Sequence, residues 1–134
     1  MSMTMLRFAP IYGGLLVLLV IFLAYRVTTF RRGEGISLGD DKGSKAMKGA
    51  VRAHANAIEN IPLGIALLLM LELNHLTPWL LHSFGVSFLV ARLLHAWGLS
   101  SKNGPSFGRF YGTLLTWLAL IGMAIVNILV VLTR

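Results

Sequence analysis

Cysteine is absent from the 134-residue chain, which excludes disulfides, thiolate metal sites and a cysteine nucleophile of the protein's own. Charge is scarce: 13% of residues are Asp, Glu, Lys or Arg, against about 25% in ordinary soluble domains. Acids are scarcest, with 5 Asp and Glu beside 12 Lys and Arg. A 56% hydrophobic content and a mean hydropathy of +0.75 indicate a membrane protein. The formal charge of +7 invites a nucleic-acid reading. The basic residues, however, crowd into loops beside apolar spans, which fits membrane orientation and anionic lipid headgroups. No nucleic-acid-binding motif is present, so nucleic acid is not expected as a partner.

Four apolar runs predict membrane spans over about 8–27, 45–73, 79–99 and 107–132. Each holds about 20 residues or more, enough to cross the hydrocarbon. The expected fold is therefore an all-α integral membrane protein, a four-transmembrane-helix bundle forming one domain over 1–134. The first run reads as a retained span: it is too long for a signal-peptide core, and no small-x-small site follows Tyr25. Thr28–Ser44, with Gly33, Gly35, Gly39 and Gly43 among charged residues, reads as a loop. Asp40-Asp41 there reads as a solvated turn rather than a metal pair. A short turn falls at Asn74–Pro78, and a polar loop with Lys102, Gly104 and Pro105 at Ser100–Ser106.

The loop after span one holds Arg31, Arg32 and Lys42 and the loop after span three Lys102, with more Lys and Arg in the flanking turns, whereas the loop after span two holds none. The positive-inside rule puts both basic loops in the cytoplasm and both termini on the non-cytoplasmic side. Trp79 and Trp97, at the two ends of span three, suit the interfaces.

The second span carries the most informative stretch, Lys45–Pro62. Arg52, Asn56 and Glu59 stand at i, i+4 and i+7, within about 60° of one another around a helix. Beside them Gly49, Ala53 and Ala57 form a small-xxx-small row that lets another helix approach. One ionised side chain at mid-membrane costs about 2.5–3.5 kcal/mol on insertion scales, so such a stripe needs protein or water to face. Arg92 and His95, one turn apart on span three, and Arg109 in the first turn of span four fall at the same membrane depth. Singly, these residues have bland readings: Arg52 snorkelling, Glu59 in a structural ion pair, His95 as a satisfied interior histidine. Converging from three helices, they read as a site.

Other polar residues read as structural. Glu72 is expected at the outer interface, and Tyr12, Tyr25 and Trp117 in packing or at interfaces. Asn127 is expected to hydrogen-bond between helices. His75 and His82 match no metal motif, and no metal site is expected.

Several cations with one carboxylate and one amide suit a small anionic ligand that also carries an amine. Arg109, at the positive end of a helix, suits an anion such as a thiolate. With no cysteine in the chain, any sulfur chemistry must arrive on that ligand.

Arg52-Ala-His-Ala-Asn56-Ala-Ile-Glu59-Asn-Ile-Pro62 resembles the R-A-H/Q-x-N-x-x-E-x-x-P signature of the MAPEG family, the membrane-associated proteins in eicosanoid and glutathione metabolism. Gly35-Ile-Ser-Leu-Gly39-Asp40 and Arg92-Leu-Leu-His95-Ala-Trp-Gly98 are similar to its bacterial members. The resemblance covers essentially the whole chain. It implies a homotrimer in a bacterial inner membrane, binding glutathione between neighbouring subunits on the cytoplasmic side. Arg52, Asn56 and Glu59 would hold the tripeptide, with His54, Arg92 and His95 near it. Arg109, with Ser106 as a helper, would polarise the thiol. The chain departs from the family's well-studied transferases in having Asn60 and Trp97–Leu99 where those often carry tyrosines.

The expected function is thus a glutathione-dependent transferase or peroxidase acting on lipophilic small molecules that enter from the lipid. The rivals are a four-span proton-coupled exporter built on Glu59 and a non-catalytic membrane scaffold.

Overall fold

The structure, a computed structural model, describes residues 6–101 and 106–134. It contains four helices: α1 (Ala9–Glu34), α2 (Lys45–Leu73), α3 (Pro78–Ser101) and α4 (Phe107–Leu132). Each is long and apolar enough to cross a membrane. The expected loop residues Lys102, Gly104 and Pro105 lie outside the described residues.

The second, third and fourth helices match the apolar runs closely, but α1 is longer than its run. Thr28–Glu34, expected as loop, is helical. The helix is about 39 Å long at 1.5 Å per residue, so its last turns clear the hydrocarbon, where polar residues are no burden. Thr28 and Thr29 donate their hydroxyls to the carbonyls of Ala24 and Tyr25, at 3.1 and 3.0 Å. Arg31 and Arg32 in the last turn complement the negative end of the dipole. Gly35, not Gly33, ends the helix: its φ of 66° is the left-handed conformation that lets its N–H reach back to Arg31.

Glu34 and Ser44 then join α1 to α2. The Glu34 carboxylate accepts the Ser44 backbone N–H at 2.8 Å and also its hydroxyl. Ser44 in turn caps α2 by accepting the Met47 N–H at 3.1 Å. The 17-residue expected loop is thereby reduced to a short, tied connection. Pro62 lies inside α2, which remains helical on both sides of it.

At the other end of the bundle, Glu72 corrects an expectation. Its side chain does not reach for the interface but turns inward, 9% exposed. It accepts the backbone N–H groups of Arg7, Phe8 and Ala9 at 2.6, 2.9 and 2.7 Å. These are the open donors at the start of α1, which has no side-chain cap of its own. Nearby, the Tyr12 hydroxyl and His82 Nδ1 are 2.7 Å apart.

α1 packs on α2 and α3, α4 packs on α2 and α3, and the α3–α4 contact is the most extensive. The small-residue row behaves as expected at Ala53 and Ala57, both fully buried. Leu16, Leu23, Ile61, Leu68 and Phe88 fill the core around them. Asn127 on α4 donates to the Leu67 carbonyl on α2 at 3.2 Å, the interhelical bond expected of it. Large apolar side chains such as Leu18, Phe22, Trp117 and Ile121 cover the outside. That surface is unfit for water and suited to lipid.

Candidate functional site

Three helix ends meet at one end of the bundle: the start of α2, the end of α3 and the start of α4. Arg52 is the eighth residue of α2, about 10 Å along it, and Glu59 lies about 10 Å deeper. Asn56 stands between them.

The α3–α4 contact is set by glycine. A Cβ on Gly112 would lie 2.6 Å from the His95 nitrogen, and one on Gly98 only 2.3 Å from the Arg109 nitrogen. Those approaches are open only to backbones without side chains between them. They place Arg109 one turn from the His95 segment. Ser106 secures the junction: its hydroxyl donates to the Gly98 carbonyl at 3.2 Å and accepts the Arg109 N–H at 3.2 Å.

Arg92 is the centre of the polar network. It is 1% exposed, the largest fully buried side chain among the described residues. Its Nη2 donates to Asn56 Oδ1 at 2.6 Å, and its Nη1 to Thr116 Oγ1 at 3.3 Å. One guanidinium thus ties α2, α3 and α4 together. Among the described residues its Nε has no hydrogen-bond partner, and neither does Nδ1 of the buried His95.

Arg52 and Glu59 face out of the bundle and are exposed. Neither side chain has a hydrogen-bond partner among the described residues. The charges still act on one another: Arg92, Arg109 and Arg52 all bear on His95, and Glu59 on Arg92. Glu59 is therefore not the ion-pair partner of Arg52 or Arg92 within the chain.

Arg109 is exposed and lines an open pocket of about 440 Å³ with Ser106, Phe110, Thr113, Leu114 and Trp117. The pocket joins a cation and two hydroxyls to an aromatic and aliphatic wall. That combination suits an amphipathic ligand.

Of the eight residues that the sequence marks as a site, Asn56 and Arg92 touch directly. Arg52, Glu59, His95 and Arg109 lie within electrostatic reach of that pair or of one another, and Ser106 fixes the backbone of Arg109. His54 stands apart: it is half-buried and about 160° around α2 from Asn56. The residue missed by sequence reasoning is Thr116, 1% exposed and bonded to Arg92. Its signal was its position two turns beyond Arg109 on the same face of α4.

The MAPEG family model matches residues 9–129 of this chain. The chain belongs to the MAPEG family. It is similar to the inner membrane protein YecN of Escherichia coli strain K12, with 32% identity over 120 residues. That alignment covers 90% of this chain and 89% of the relative. YecN of E. coli O6:H1 aligns with the same identity and coverage. Like other MAPEG proteins of this architecture, the chain is an integral membrane protein. Its four helices are the expected four-helix bundle.

Proposed function

We propose that the protein is a glutathione-dependent membrane enzyme of transferase or peroxidase type, assembled as a homotrimer in the bacterial inner membrane. The observation that carries this reading is the α2 stripe. Arg52 and Glu59 present opposite charges on the outer face of a membrane helix, unpaired among the described residues, while the amide between them is held by a buried arginine. Such groups facing lipid would be costly. A neighbouring copy closing over the stripe removes them from lipid and leaves a polar cleft.

The cleft's chemistry matches the tripeptide group by group. Arg52 pairs a carboxylate with two parallel hydrogen bonds. Glu59 accepts the α-ammonium of the γ-glutamyl residue. Arg109, backed by the start of α4, stabilises the thiolate that attacks an electrophile. In conjugation, the sulfur forms a bond to carbon as the leaving group departs with its electron pair. The apolar wall of Phe110, Leu114 and Trp117 would receive a lipophilic substrate arriving through the bilayer. The positive-inside rule favours this end in the cytoplasm and both termini on the other side.

A proton-coupled exporter needs a carboxylate isolated in an apolar cavity, whereas Glu59 shares its field with Arg92. The test is a thermal-shift titration of the purified protein with glutathione and S-hexylglutathione, followed by a conjugation assay with an aryl halide. Concentration-dependent stabilisation and conjugate formation are expected. No shift at concentrations well above millimolar would defeat the reading.

A further inference from the structure

Arginine carries five N–H donors and no acceptor. Whatever accepts from Arg92 must turn an oxygen toward it. In Asn56 that oxygen is Oδ1, 2.6 Å from Nη2. The reverse orientation would set two donors against each other in a buried place and leave both unpaired, which is the expensive arrangement. The Asn56 NH2 is therefore directed away from Arg92, and it has no partner among the described residues. Arg92 is itself held on its other branch by Thr116 Oγ1 at 3.3 Å, with both side chains 1% exposed. A chain of donors and acceptors thus runs from α4 through α3 to the one half-buried member, Asn56, on the α2 stripe.

We propose that Arg92 and Thr116 are positioning residues that lock the Asn56 amide with its NH2 outward. Position 56 is then a dedicated donor, and it reads an acceptor, a carbonyl or carboxylate oxygen, on the peptide held by the stripe. An unrestrained asparagine presents either face and reads donors and acceptors alike. The lock makes this one selective. It also gives the buried guanidinium a task that needs no contact with ligand. The ligand half of this inference rests on the glutathione reading above; the orientation half does not.

Asn56→Asp is the decisive variant. It keeps an oxygen facing Arg92 and replaces the NH2 with a second oxygen. We expect it to melt no lower than the wild type in detergent, while Asn56→Ala, which strips Arg92 of its acceptor, melts lower. We expect the Asp variant to bind glutathione about tenfold more weakly or worse by calorimetry, as for a lost hydrogen bond to a charged acceptor. Thr116→Val, which changes no charge, should also weaken binding, and Thr116→Ser should restore it.

An Asp variant that melts as low as the Ala variant would overturn the orientation. An Asp variant that binds glutathione as tightly as the wild type would overturn the donor role, and wild-type affinity in Thr116→Val would remove Thr116 from the lock. If the wild type binds no glutathione, the functional reading falls and the ligand half with it. The comparison of melting temperatures still decides the orientation.

Discussion

The Glu72 carboxylate at the end of α2 accepts the Ala9 backbone N–H at 2.7 Å, although the two residues are 63 positions apart. With the Arg7 and Phe8 amides also on that carboxylate, Glu72 is the N-terminal cap of another helix. It fixes the start of α1 against the end of α2, at the opposite end of the bundle from the α2 stripe. Glu72→Gln removes the charge and half of the acceptor capacity. The expected loss is about 2 kcal/mol of stability, read as a lower melting temperature in detergent. Glutathione affinity should be unchanged, which separates this end from the site.

The α3–α4 junction predicts a second contrast. Gly112→Ala drives a methyl group into the His95 backbone, which cannot swing aside as a side chain could. About 1–3 kcal/mol of destabilisation is expected, together with weakened ligand binding as Arg109 shifts from His95. Gly14→Ala, with nothing within 4 Å of the added carbon, should be neutral or stabilising by up to about 1 kcal/mol. Equal effects in the two variants, measured by thermal denaturation, would contradict the packing described for Gly112.

Much of this was legible in the sequence because membrane hydrocarbon forgives little. Apolar runs fixed the number of helices and nearly all their ends, and the polar stripe on α2 stood out against them. The misreadings arose where water returns. Thr28–Glu34 looked like a loop because its glycine and charges break the apolar pattern, yet outside the hydrocarbon that pattern no longer governs helix formation. A lone acid near a helix end, such as Glu72, usually lies exposed at the interface. The true partner of Glu72 is the backbone of Arg7, Phe8 and Ala9, and backbone donors leave no mark in a sequence. Thr116 was hidden for a related reason: a threonine in an apolar helix usually satisfies itself on its own carbonyls.

Arg109 predicts a pH effect. A cation beside a thiol favours the thiolate and lowers the thiol's pKa, so removing the cation raises it. In Arg109→Ala, the conjugation rate at neutral pH should fall about tenfold for each unit by which the thiol pKa rises, and recover as pH rises. The ultraviolet thiolate band of bound glutathione should shift to higher pH in parallel. A rate profile that falls without moving along the pH axis would deny Arg109 this role.

The absence of cysteine makes membrane orientation simple to measure. Single cysteines replacing exposed Ser37 or Thr133 report the α1–α2 connection and the C-terminus. In intact cells, an impermeant maleimide should label Thr133→Cys and spare Ser37→Cys until the membrane is broken. The reverse pattern would place the α2 stripe away from the cytoplasm.

Calorimetric titration of glutathione into the detergent-purified protein, beside its Arg52→Ala variant, decides whether the α2 stripe holds glutathione. Saturable binding by the wild type is expected. The variant should bind at least about tenfold more weakly, as for a lost charge-assisted pair, with an unchanged assembly by light scattering. Equal affinity in the two proteins, or no binding by either, would contradict that role of the stripe.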